Sequence, residues 1–196
     1  MRGLSATAML GALIVGGSLF AREGDSATSP EVPSAKQTVL NLYLTAKDAG
    51  GKWKADSENV KIIDVRTPEE YIFVGHPTMA WNIPLLLLER PWDPQQRKPV
   101  MRPNADFLTQ VKRMSEPSDT LLMICRSGKR SASAADILAK TGYKKVYNVI
   151  DGVEGDLVKD PHSVFYGKHM WNGWKNSGLP WTYDVDPKLI VLPLGE

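Results

Sequence analysis

Cysteine is almost absent: the 196-residue chain holds one, Cys125. A single thiol cannot close an intrachain disulfide, so the fold does not rest on a cystine framework. Histidine is scarce too, and His76, His162 and His169 lack the close spacing of a transition-metal motif. Excess charge is missing as well, with a formal net charge of +2 and no long Lys/Arg run. That excludes a protein that tracks a nucleic-acid backbone by bulk electrostatics. Any preference for an anion must come from local charge. What the chain does have is 42% hydrophobic residues, enough at this length to bury one ordinary core in one domain.

The longest uncharged apolar stretch is N-terminal: Arg2, then "GLSATAMLGALIVGGSLFA", then Arg22 and Glu23. Residues 1–21 are expected to be a signal peptide, with Gly16-Gly17 near the end of a run that is borderline for a membrane span; a retained anchor is the alternative. Leu19 fits the cleavage pattern poorly, and Ala21 fairly. Residues 22–33, rich in Ser, Pro and Gly, read as a flexible linker. The expected location is periplasmic or secreted, with no membrane contact after signal removal. In an oxidising compartment a lone thiol invites a functional explanation, although a buried Cys acting as a small hydrophobe is the plain alternative.

Beyond the linker, Val39, Leu42, Tyr43 and Ala46 recur at helical spacing, which predicts a helix from Ser34 stopped by Gly50-Gly51. "VKIIDVR" reads as a buried strand. "TPEEY" reads as a helix start, with Thr67 as cap, Pro68 at the first position and Glu70 closing a capping box. "MAWNIP" is a second strand and "PWDPQQRKPVMRP", with four prolines, an irregular excursion. A helix in "NADFLTQVKRM", a strand in "TLLMIC", a helix in "ASAADILAKTG" and a strand in "KKVYNVI" follow. The alternation predicts an α/β fold with a mainly parallel sheet flanked by helices.

In such sheets the site lies beyond the C-terminal strand ends. Cys125 stands there, followed by "RSGKRS" and a helix start. A helix N-terminus offers unpaired N–H groups that stabilise a thiolate and bind small anions. Arg126, Lys129 and Arg130 add cations, so Cys125 is the candidate nucleophile and the loop the candidate anion cradle.

"CRSGKRS" resembles the active-site loop of rhodanese-like single-domain sulfurtransferases. "IIDVRTPEEY", "GHPTMAWNIP", "NVIDG" and "NGWKNSGLPW" are similar to that family's further motifs in order and spacing. The resemblance spans residues 34–182, leaving 183–196 as a C-terminal tail. It implies a three-layer rhodanese-like fold and transfer of sulfane sulfur through a Cys125 persulfide, from thiosulfate or a related anionic donor to a thiol, cyanide or protein acceptor. Substrate contacts are implied for Arg126, Ser127, Gly128, Lys129, Arg130 and Ser131, and no metal or organic cofactor is required. Pro77, Thr78, Met79 and Asp151 depart from the family pattern, and segments 88–103 and 156–171 read as insertions, the second placed to cover the pocket.

Two other readings share this loop. Cysteine phosphatases close a longer loop with a later Arg, and the position it would need is held by Ser131, one residue past Arg130. A periplasmic persulfide carrier or partner-binding module would need the same residues as an enzyme. Behind the loop, Asp64 is expected to anchor neighbouring loops, Arg66 to pair with Glu70, His76 to pack and hydrogen-bond, and Trp171 to rim the pocket.

Overall fold

The computed structural model describes residues 32–191. After a 3-10 turn at Ser34–Lys36 come β1 (Tyr43–Leu44), α1 (Ala46–Ala55), β2 (Val60–Asp64), α2 (Pro68–Val74), β3 (His76–Pro77), β4 (Trp81–Asn82), β5 (Leu86–Asp93) and β6 (Lys98–Pro103). There follow α3 (Phe107–Met114), β7 (Thr120–Ile124), α4 (Lys129–Ala139), β8 (Lys145–Val149), a second 3-10 turn at Trp174–Asn176, and β9 (Trp181–Thr182). The expected leader, residues 1–21, and most of the linker lie outside the described residues.

The central sheet runs β1-β8-β7-β2-β4, every pair parallel. Buried on both faces, its strands are continuous apolar runs, and the two-residue period of a strand divides each run between two cores. In β7, Leu121 and Met123, with Cys125 just beyond, join Phe107, Val111, Ala135 and Leu138 on the α3–α4 side. Leu122 and Ile124 join Ala46, Ala49, Val153 and Trp174 on the α1 side. Helix, sheet and helix form the three layers of an α/β fold, and Cys125 is part of the core.

Three expectations need correction. Residues 34–50 are not one helix: Asn41 (φ +51°) turns the chain, and Tyr43–Leu44 pair with β8. Thr45, whose side chain accepts the Asp48 N–H, starts α1, and Gly50-Gly51 lie inside it. There a Cβ on Gly50 would meet Leu179 Cδ2 at 2.6 Å, so close packing places that glycine. The proline-rich excursion is an antiparallel hairpin, β5–β6. A two-stranded ribbon has unpaired outer edges, where proline's missing N–H costs nothing, and the register shifts between Leu88 and Trp92, around Pro91. Within the expected tail, residues 189–191 return to the central sheet, with Asn82 N–H donating to Leu189 O (2.7 Å) and Val191 N–H to Asn82 O (3.1 Å).

Candidate active site

The loop after β7 is held from behind by the turn after β8. Val153 N–H donates to Cys125 O (2.8 Å) and Glu154 N–H to Arg126 O (3.0 Å). In a trans peptide the N–H points opposite the C=O, so the N–H groups of Arg126 and Ser127 face away from this backing. The approach requires glycine: Gly152 has φ +64°, and a Cβ there would sit 2.4 Å from Cys125 O.

Gly128, at φ +96°, turns the chain into α4 and directs its N–H at Cys125 Sγ, 3.2 Å away. The first N–H groups of α4 have no partner within the helix. Ser131 Oγ lies 3.2 Å from Sγ and 2.7 Å from Asn148 Oδ1, and one hydroxyl proton serves one of them at a time. Asn148 is fully buried and donates from Nδ2 to Gly128 O (3.0 Å) and Lys36 O (2.8 Å). Cys125 itself is 1% exposed. The result is a sulfur at a strand end, under a helix N-terminus, ringed by donors.

Arg130 is tied down rather than free. Its guanidinium grips Glu70 through Nη1–Oε2 (2.5 Å) and Nη2–Oε1 (2.6 Å). β2 and β7 are parallel with Asp64 opposite Ile124, and Glu70 and Arg130 each lie six residues past that pair. The shared register therefore brings the starts of α2 and α4 together. Glu70 also closes the capping box with Thr67. Burial opposes both charges, yet the mutual hydrogen bonds and Coulomb attraction overcome it, lowering the Glu70 pKa and raising that of Arg130; Cys125 and Asp64 add to the latter.

Arg66 pairs with Asp64, not with Glu70: Nη2 donates to Asp64 Oδ2 (2.6 Å) and to Gly75 O (2.8 Å), with both partners fully buried. Burial by itself lowers the Arg66 pKa, but the Asp64 carboxylate more than offsets it and raises the pKa above its ordinary value. Asn82 Nδ2 spans Asp64 O (3.1 Å) and Arg66 O (2.9 Å), so this pair braces the β2 exit. Asp151, which departs from the family pattern, accepts the Ala46 N–H (2.7 Å) and the Gly173 N–H (3.1 Å). Burial, its largest influence, raises its pKa against those donors.

Residues 51–159 match the family model described as "Rhodanese-like domain". The chain belongs to the rhodanese-like domain family. Over 129 residues it is 31% identical to the Rickettsia prowazekii protein named "Uncharacterized protein RP600", covering 65% of this chain and 86% of that one. It is 41% identical over 92 residues to "Thiosulfate sulfurtransferase 18" of Arabidopsis thaliana, 46% of this chain and 61% of that one. Among solved structures, Rv0390 from M. tuberculosis superposes with a TM-score of 0.56 at 25% identity, over 72% of this chain and 96% of that one. These findings place the protein in the sulfurtransferase superfamily.

In this rhodanese-like domain the structure gathers Cys125 through Gly128 into one loop that leads into the first turn of α4, which carries Lys129, Arg130 and Ser131. Arg126 is half-exposed, its Nε 3.6 Å from Glu154 Oε2, and Lys129 is exposed. His76 stacks on Tyr71, with ring centroids 3.6 Å apart, and its Nδ1 lies 3.0 Å from Tyr71 O. Trp171 is exposed and is not among the residues lining the neighbouring cleft, although Met170 beside it is. Sequence reasoning gave Glu70 its capping box but missed its pairing with Arg130, and it missed the role of Asn148. The equal spacing of Glu70 and Arg130 from the starts of two predicted strands, Val60 and Thr120, was the available signal for the first. Among the described residues, no cluster of three His, Cys, Asp or Glu side chains is placed to hold a metal ion.

Proposed function

We propose that the protein moves sulfane sulfur from thiosulfate, or a related anionic donor, to a thiophilic acceptor through a persulfide on Cys125. The Gly128 N–H aimed at Cys125 Sγ from 3.2 Å carries this reading, because a donor at that place stabilises negative charge on sulfur. The Cys125 thiolate attacks the outer sulfur of thiosulfate, the donor's S–S bond breaks, and its electron pair leaves with sulfite. Cys125–S–S⁻ then gives its outer sulfur to the acceptor, and the pair of the broken bond returns to Sγ. Arg126 and Lys129 attract the anion, Arg130 contributes its charge from the Glu70 pair, and the N–H groups of residues 126–131 receive the persulfide. The same reading gives residues 1–21 to a removed leader and the domain to the periplasm or the exterior.

Intact mass after incubation with thiosulfate tests this. The expected result is a gain of one sulfur atom, discharged by cyanide or a thiol and abolished in Cys125→Ser; a folded Cys125→Ser chain that transfers sulfur at the wild-type rate overturns the proposal.

A further inference from the structure

At the β4 edge of the central sheet, two strands from β7 and its thiol, a cleft of about 360 Å³ opens between β4 and α3. Neighbouring strands lie about 5 Å apart, so this cleft is separate from the Cys125 loop. Its walls are Trp81, Ile83, Gln110, Arg113, Met114 and Val191. Trp81 comes from β4, with Ile83 just past it, and α3 supplies Gln110, Arg113 and Met114, which at i, i+3 and i+4 share one helix face. Val191, whose N–H donates to Asn82 O (3.1 Å), closes the third side. Sites for organic molecules span about 300–1,000 Å³, and this one is of that size.

The lining is divided by chemistry. Trp81, Ile83, Met114 and Val191 form an apolar floor continuous with the α3–α4 core. Beside it stand two side chains whose donors are unused. Among the described residues Arg113 forms no ion pair and no side-chain hydrogen bond. Gln110 is oriented by a chain of amides. Pro84 O can only accept, so Asn104 must present Nδ2 to it (2.8 Å), and that Nδ2 in turn requires the acceptor Oε1 of Gln110 (3.0 Å). Gln110 Nε2 is thereby left as the uncommitted end of its amide, without a partner among the described residues. A basic residue in the last turn of α3 also suits the helix dipole, but the dipole does not call for a neutral amide held with its donors free one turn earlier. No carboxylate lines the cleft. The complement of such a lining is a carboxylate, which accepts from a guanidinium and an amide at once, carried on an apolar body.

We propose that this cleft binds an aliphatic monocarboxylate of medium chain length, its carboxylate held by Arg113 and Gln110 and its chain laid on Trp81, Ile83, Met114 and Val191. The assignment goes beyond sulfur transfer and is independent of it, since the ligand needs no thiol and meets no residue of the Cys125 loop.

Octanoate is the probe, titrated by calorimetry into the full-length chain. It should bind at one site, and octan-1-ol, which has the same body without the charge, should bind about tenfold more weakly or not at all. Arg113→Glu should weaken octanoate by about tenfold or more, the size of one lost charged contact, and leave octan-1-ol unchanged. Gln110→Leu keeps the bulk, removes the donor and should cost octanoate a smaller factor. Arg113 is exposed and Gln110 half-exposed, so neither change threatens the fold. Absent binding, equal affinities for octanoate and octan-1-ol, or an octanoate affinity untouched by Arg113→Glu overturns the proposal. Two further results overturn it by giving the cleft another occupant: octanoate binding that appears only once residues 192–196 are deleted, or a dimer in sedimentation that excludes octanoate and that Arg113→Glu dissociates.

Discussion

Asn148 touches no substrate, yet three of the bonds that shape the thiol loop end on it. Asn148→Ala strands Lys36 O in the interior, at about 1–3 kcal/mol for an unpaired group, and leaves Gly128 O with only the long Ala132 N–H bond of 3.4 Å. The expected outcome is a lower urea midpoint together with faster alkylation of Cys125, because the turn that covers the sulfur loses its tether. Ser131→Ala should leave the midpoint closer to wild type. His76 gives a second check. Its pKa lies below the ordinary 6.5 chiefly because burial disfavours the cation, while Tyr71 O pulls the other way. Below pH 6.5 the unfolded chain takes up a proton that the folded one refuses, so the His76 contribution is complete above 6.5 and is lost as pH falls toward the folded value. Stability measured down to about pH 5.5 should decline through this window, and His76→Gln should flatten the decline. Single residues were read well from sequence where a local pattern defines them, as with the strand-end place of Cys125 or the Thr67–Glu70 box. They were read poorly where the path of the backbone decides the partner: Arg66 was assigned Glu70, four residues on, whereas the β2 exit turns Arg66 back onto Asp64, and Glu70 pairs with the remote Arg130.

Among the elements, α1 shows what a propensity argument leaves out. A glycine pair usually ends a helix, and here tertiary packing overrides that preference. A Cβ on Gly51 meets nothing within 4 Å, whereas one on Gly50 collides with Leu179. Gly51→Ala should therefore stabilise the protein by about 1 kcal/mol through helix propensity alone, seen as a Tm rise of roughly 2–4 °C in a domain of this size. Gly50→Ala should gain less than Gly51→Ala or destabilise, since Leu179 must move first. A thermal melt of both variants decides this, and equal gains would show that Leu179 packing does not constrain the helix. The buried strands β2, β7 and β8 were legible because parallel strands covered on both faces are plain apolar runs. The hairpin β5–β6 was not, since its prolines mask a ribbon that needs only half of its backbone donors.

For the molecule as a whole, the alternation of strand and helix was sufficient to forecast the three layers, and the strand-end rule located the loop. The strand order was not forecast, because nothing local says that β1 pairs with β8 across some hundred residues. The proposed export is checked by sequencing the N-terminus of the protein recovered from its native cells, which should begin between Ala21 and Ala27; a major species beginning at Met1 overturns it. The late position of the loop's supports has a consequence for biogenesis. Cys125 leaves the ribosome well before Asn148, Gly152, Val153 and Glu154, and Trp174, whose N–H holds Gly152 O, comes later still. A nascent chain thus carries its thiol without the turn that aims donors at it. Under the proposed function and export, sulfur loading would be a property of the finished polypeptide, and a chain exported unfolded would cross the membrane with its nucleophile dormant.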